Sequence, residues 1–307
     1  MMSVIQRPLT GSVVNLSISE SEDSAERGFP SWQVNRVTIQ VVAALFGQGV
    51  SVIFGHDWRD DGVMEAVHGF ARQMQSPVPI SPNDAESIGQ PLLRNLLPWP
   101  DEPRLPQEDL ERLASTLRVE KAGLPQELTP YDRRARHEGA ESSLYRYLRA
   151  RGLTNLRHRL GAAAHARLCL GGRTSGAAGR YPGVIEEALL ALLTGKPLYL
   201  VGILGGATHQ VIEAIEGRPM LENFCAPTTL SELYLAPPVH ERDPGTEPDR
   251  LVDRAAIWDA FTRVGRSRLA EANALSPDEN GELFTTPVLD RVIQLVLTGI
   301  ARLQGRR

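Results

Sequence analysis

Apolar and polar positions along the chain change period several times, and each change marks an element. Val13 to Leu16 is a short apolar run of β type, and the polar stretch Ser17 to Asp23 that follows reads as a loop. Val37, Val41, Ala44 and Leu45 recur at helical spacing within 34–46, and Gly47 and Gly49 supply the stop. Val50 to Phe54 reads as a buried strand ending at Gly55, His56 and Asp57. Val63, Val67, Phe70, Ala71 and Met74 then predict an amphipathic helix capped by Asp60 or Asp61. Strand, loop, helix repeated twice is the grammar of a parallel sheet with crossover helices.

The next zone, about 76–150, behaves differently. Eight prolines between Pro77 and Pro106 break any long helix and predict an insert wrapped over the surface. Leu92, Leu93, Leu96, Leu97 and Trp99 are too apolar for a free linker, so part of it is expected to dock on the core. A basic helical stretch from Arg133 to Arg151 leads on to Leu156 and Arg157. Alternation then resumes: a strand at 167–170, a Gly-rich loop from Gly171 to Gly183, a helix carrying Val184, Ile185, Ala188, Leu189 and Leu192, and a strand at 198–201. A loop with Gly202, Gly205 and Gly206 comes next, then a helix over 210–216 with Thr208 as its cap. Two further helices are predicted, at about 250–264 and 287–303. The expected fold is a Rossmann-like α/β domain over 1–235 with an open, mainly parallel sheet flanked by helices. The Pro-rich insert interrupts it, and a helical extension over 236–307 follows.

Composition narrows the partners. The chain has 307 residues and a formal net charge of −4, so no basic stripe is expected for nucleic acid or an anionic membrane. No apolar run is long enough to span a bilayer. The first twenty residues lack a basic segment leading into an apolar one, so no secretory signal is expected. Cys169 and Cys225 stand far apart, which fits a reducing cytoplasm rather than a disulfide framework or zinc site.

In a parallel sheet, ligands bind beyond the C-terminal ends of the strands, where loops hand over to helix N-termini. Four such handovers are rich in Gly, Ser or Asp: 17–21, 55–62, 171–183 and 202–206. Small residues let backbone N–H groups approach an anion, and the helix dipole adds partial positive charge. A phosphate-bearing ligand is therefore expected near Ser17, Ser19, Gly55, Asp57, Gly171, Gly172, Gly183, Gly205 and Gly206. Arg173 and Arg180 are candidates to pair with phosphate, Trp58 to stack a base, and Glu187 to accept from sugar hydroxyls. There is no G-x-x-x-x-G-K-[ST], no G-x-G-x-x-G after the first strand, no G-x-S-x-G and no H-E-x-x-H. P-loop, ordinary dinucleotide, α/β-hydrolase and zincin readings are thereby disfavoured, and no cofactor or metal is expected.

The run Gly179-Arg180-Tyr181-Pro182-Gly183-Val184-Ile185-Glu186-Glu187 resembles the signature of the SLOG superfamily, the Rossmannoid group of Lonely Guy and DNA-processing-protein-A-like proteins. Lonely Guy phosphoribohydrolases carry P-G-G-x-G-T-x-x-E, and Gly183 to Glu187 occupies its second half. Val184 replaces the Thr, and the P-G-G triplet is split into Gly171-Gly172 and Pro182-Gly183. In its longer loop, in S-I-S-E-S after one strand and in G-H-D-W-R-D-D-G after the next, the chain is more similar to the branch found in bacterial defence operons. The resemblance covers about 9–74 and 155–217. It implies an ADP-ribose-like, NAD-derived ligand, as bound by relatives in defence systems and TRPM channels, and hence a sensor or regulatory module. A TIR-type or other defence protein would be its partner. A second implication is hydrolysis of a nucleotide N-glycosidic bond, with Glu187 and Arg157 as catalytic residues, although Arg157 lacks the Lys that follows the Arg in that family. A third alternative is a scaffold with a vestigial pocket. Val288, Leu289, Val292, Ile293, Val296, Ile300 and Leu303 form an apolar stripe near the end of the sequence. That stripe, with the self-association common among Rossmannoid relatives, leads to the expectation of a homo-oligomer.

Overall fold

Six parallel strands form one sheet in the order β4-β3-β2-β1-β5-β6 in this computed structural model, which describes residues 8–55, 67, 69–70, 91–103, 105–114, 116–226, 228–235, 237–239 and 253–306. The strands are β1 (Val13–Ser19), β2 (Ser51–Gly55), β3 (Leu93–Pro98), β4 (Leu117–Gly123), β5 (Ala166–Gly171) and β6 (Leu198–Val201). From β1 the chain winds outward through β2 and β3 to β4, then crosses back to place β5 on the other side of β1. The winding direction reverses between β1 and β5, so the adjacent crossovers leave on opposite faces and their loops part there.

The helices are α1 (Ser31–Gly47), α2 (Gln107–Leu113), α3 (Asp132–Glu138), α4 (Ser143–Ala163), α5 (Gly183–Leu193), α6 (Gly206–Ile215), α7 (Thr229–Leu235), α8 (Arg254–Asn273), α9 (Pro277–Thr285) and α10 (Leu289–Gln304). Side-chain alternation sorts the two faces of the sheet. Val14 and Leu16 of β1 and Leu168 and Leu170 of β5 join one core with α1 and α10. On the opposite face, Val13 and Ile53 pack under Leu156 and Leu160 of α4, while Cys169, Leu198 and Leu200 pack under α5, α6 and α8.

Several elements differ from the sequence expectation. The Pro-rich segment does more than wrap the surface, because Leu93–Pro98 is β3, hydrogen-bonded to β2, and Leu117–Gly123 is β4, hydrogen-bonded to β3. Its leucines dock as a strand. β1 continues through Ser17 to Ser19 instead of ending at Leu16, since pairing with Cys169 and Gly171 of β5 extends it. Thr208 is not a cap: it lies inside α6 and donates to the Gly171 carbonyl at 2.8 Å. The helix expected from Val63 to Met74 falls mostly outside the described residues, although Val67 is buried and Phe70 stacks on Phe46. A third C-terminal helix, α9, was not foreseen. It opens with Ser276 accepting from the Glu279 amide and Glu279 accepting from the Ser276 amide.

The stripe that pointed to self-association is covered by the protein's own core. Val292, Leu295, Val296 and Ile300 pack with Val41, Leu45 and Leu168, which leaves Val288 exposed. Asn273 ties α8 and α9 to the sheet, donating to the Leu198 carbonyl at 2.9 Å and to Asn280 at 2.8 Å.

Candidate functional site

A crevice of about 390 Å³ opens where the winding reverses. Ser17 and Ser19 of β1 and Phe54 and Gly55 of β2 form one side. The β5–α5 loop, with Arg173 and Ser175, and the α5 N-terminus at Pro182 and Gly183 form another. α4 supplies Arg149, Leu153, Leu156 and Arg157, spaced to share one side of that helix. Leu153 and Leu156 make an apolar wall between two arginines.

Glu187 reaches the crevice from the second turn of α5, and its surroundings follow from strand parity. Asn15 and Ser17 share a face of β1, and register pairs them with Arg167 and Cys169 of β5, so Ser17 and Arg167 both rise towards α4 and α5. Arg167 donates to the Ser17 hydroxyl at 3.0 Å, and Ser17 donates to Oε2 of Glu187, which Arg167 also contacts directly. Oε1 of Glu187 accepts no hydrogen bond among the described residues and lies 3.7 Å from Nε of Arg157. One carboxylate oxygen is thus anchored, and the other is left to the crevice.

The neighbouring Glu186 is buried and holds Arg157. Its Oε2 pairs with Nη1 of Arg157, and its Oε1 accepts from the Thr154 hydroxyl at 2.5 Å. The Arg157 guanidinium lies against the backbone of the β5–α5 loop. A Cβ at Gly179 would stand 2.6 Å from Nη1 and one at Gly183 3.1 Å from Nη2, so both glycines make room for it. Arg157 and Arg167 balance Glu186 and Glu187 beneath the crevice, as buried charge requires. Beside them, burial pushes the Cys169 thiol up to about 12, with Arg167 opposing, so this cysteine is no nucleophile at neutral pH.

The glycine-rich loops spend much of their backbone on the protein itself. Gly171 has φ +61°, and a Cβ there would stand 2.4 Å from the Ser19 carbonyl oxygen. The Gly172 amide donates to that carbonyl at 2.9 Å. At the start of α6, Gly206 donates to Asp23 at 3.0 Å, and Arg27 pairs with the same carboxylate at 2.5 Å. The carboxylate of Glu22 accepts from the amides of Thr174 and Ser175 at 3.0 Å each and from the Ser175 hydroxyl at 2.8 Å. Burial favours the neutral form of Glu22, but these donors outweigh it and hold its carboxyl below the ordinary range.

Of the residues singled out in the sequence, Ser17, Ser19, Gly55, Arg157, Arg173, Gly183 and Glu187 line one cavity. Gly171 and Gly172 stand behind it as packing and turn positions, and Gly205 and Gly206 lie under Asp23. Arg180 is buried, with its guanidinium 5.2 Å from the Tyr181 ring centroid and 5.0 Å from that of Tyr234. Asp57 and Trp58 lie outside the described residues. Sequence reasoning missed Arg149, Arg167, Glu186 and Glu22. Arg167 carried a signal, a lone charge inside an otherwise apolar strand; Arg149 and Glu22 looked like ordinary surface charges.

Among the described residues no cluster of His, Cys, Asp and Glu could hold a metal ion, and no helix is long and apolar enough to cross a membrane. Compared with protein-family models, residues 8–283 match the one described as SLOG cluster2. No curated protein and no solved structure matches the chain.

Proposed function

Because the chain belongs to the SLOG cluster2 family, whose membership suggests a nucleotide-related binding or processing role, we propose that the crevice binds a nucleotide derivative of the ADP-ribose type. In this reading the protein is a sensor or regulatory module that reports an NAD-derived signal to a defence partner, the setting the sequence resemblance implied. One observation carries the proposal. Glu187 keeps Oε1 free of hydrogen bonds among the described residues while Ser17 and Arg167 fix Oε2, and it does so in a crevice flanked by arginines and the α5 N-terminus. A fixed acceptor oxygen suits a sugar hydroxyl, and the cations and helix N-terminus suit phosphate. Leu153, Leu156 and Phe54 offer an apolar surface for a base.

A thermal-shift panel of ADP-ribose, cyclic ADP-ribose isomers, NAD and AMP tests this. A ligand at about 100 times its Kd adds about 2.7 kcal/mol. At about 2.1 cal/mol/K per residue, a chain of 307 residues unfolds with about 0.6 kcal/mol/K, so Tm rises by about 4 °C. No shift with any nucleotide refutes the reading.

A second reading is favoured by the approach of Arg157 Nε to Glu187 Oε1 at 3.7 Å inside the same crevice. That pair matches the residues the resemblance assigned to cleavage of an N-glycosidic bond. Release of free adenine from AMP by the wild type, lost in Glu187→Gln with the nucleotide still bound, establishes the hydrolase and displaces the sensor.

A further inference from the structure

We propose that the crevice contains a second, outer anion subsite formed by Arg149 and Arg173, which selects a diphosphate over a monophosphate. The inference rests on the reading of the crevice as a nucleotide site and adds to it the residues that set phosphate number. Arg149 and Arg173 line the same cavity from different walls, one on α4 and one on the β5–α5 loop. Neither makes an ion pair or hydrogen bond among the described residues, whereas Arg157 and Arg167 are spent on Glu186 and Glu187. Arg149 precedes Arg157 by eight residues, which places it about 12 Å further along the α4 axis. Because α4 leads down into the start of β5, that displacement points outward from the floor to the mouth.

Part of the loop-wall backbone is already committed. Thr174 and Ser175, the residues directly after Arg173, give their amides to Glu22, so on this stretch it is a side chain that meets an anion. A sugar on Oε1 of Glu187 brings its first phosphate towards the α5 N-terminus at Gly183. A second phosphate extends the ligand towards the mouth, where two planar guanidiniums can take it in paired hydrogen bonds. A monophosphate stops short of them.

The test is calorimetry on the full chain with AMP, ADP and inorganic pyrophosphate, using wild type, Arg149→Gln, Arg173→Gln and the double variant. Arg149 is half-buried and Arg173 exposed, so the variants keep the fold, which circular dichroism verifies. The wild type is expected to bind ADP about tenfold or more tighter than AMP, the worth of a charge-assisted hydrogen bond. Each single variant lowers that preference, and the double variant abolishes it, because ADP affinity falls by more than AMP affinity does. If ADP and AMP bind the wild type equally, or the preference survives in the double variant, the outer subsite is refuted and the nucleotide reading stands. If neither nucleotide binds, that reading falls. Pyrophosphate binding lost in the double variant would then still support the subsite, and its absence in the wild type would sink it.

Discussion

Arg167→Met probes the ion network beneath the crevice without replacing a residue that lines it. The Arg167 side chain is 3 % exposed, and it contacts both Ser17 and Glu187. Removing one partner of a buried pair costs about 3–5 kcal/mol, because the other charge stays buried without compensation. Two features of this site set the loss at the low end. Glu187 retains the Ser17 hydroxyl and Arg157 at 3.7 Å, and Nη2 of Arg167 is itself buried without a hydrogen-bond partner among the described residues. A cost of about 3 kcal/mol, against about 0.6 kcal/mol/K for a chain of this length, lowers Tm by about 5 °C. The companion Arg167→Met/Glu187→Met variant removes both charges together, and is expected to recover to within about 1 kcal/mol of wild type. Urea unfolding of the wild type, both single variants and the double yields the coupling energy. If Arg167→Met costs under about 1 kcal/mol, or the double variant loses the sum of the singles, Arg167 and Glu187 are not a coupled buried pair.

Other expectations concern the loop clamp, the C-terminal helices and two glycines. Glu22 is held below the ordinary carboxylate value of 4.5, so its contribution is complete above that value and disappears as pH falls through the depressed one. Hydrogen exchange at Thr174 and Ser175 should therefore lose protection as the pH falls below 4.5, relative to Glu22→Gln, and matching profiles in the two proteins contradict the clamp. A chain ending at residue 286 loses Val292, Leu295, Val296 and Ile300, each at most 4 % exposed. At about 2 kcal/mol per side chain that is about 8 kcal/mol, comparable to the stability of a whole domain. Calorimetry should show no cooperative transition, and a folded truncated monomer is the contrary result. Gly299→Ala would place a Cβ 2.5 Å from the Tyr199 hydroxyl and 2.9 Å from the Asn273 carbonyl oxygen, costing about 1–3 kcal/mol in urea unfolding. Gly161→Ala, whose nearest contact is 3.8 Å, should gain up to about 1 kcal/mol as a helix-interior replacement.

Local pattern determined much of this protein. The periods of 2 and 3.6 residues located β1, α1, β2, β5, α5 and β6 to within a few residues, because each buries a face whose spacing is a property of the backbone itself. The alternation of strand and helix required a parallel sheet, and the Gly-rich handover before Glu187 put that residue near the start of a helix, beside the C-terminal ends of the strands. Tertiary structure decided what each handover is for. Backbone donors at a glycine loop serve whichever acceptor the fold brings to them. Here Asp23 reaches Gly206 across 183 positions and Glu22 reaches Thr174 across 152, distances over which no sequence periodicity operates. The proline-rich stretch read as an insert because proline is costly in helices, yet β3 ends on Pro98 and β4 fits between Pro106 and Pro125 at the sheet edge, where it is paired on one side alone among the described residues. Arg167 and Arg149 became site residues in the same way. One is aimed by the parity of β5 against β1, and the other by the packing of α4 across the sheet, and both are relations between elements rather than properties of either segment.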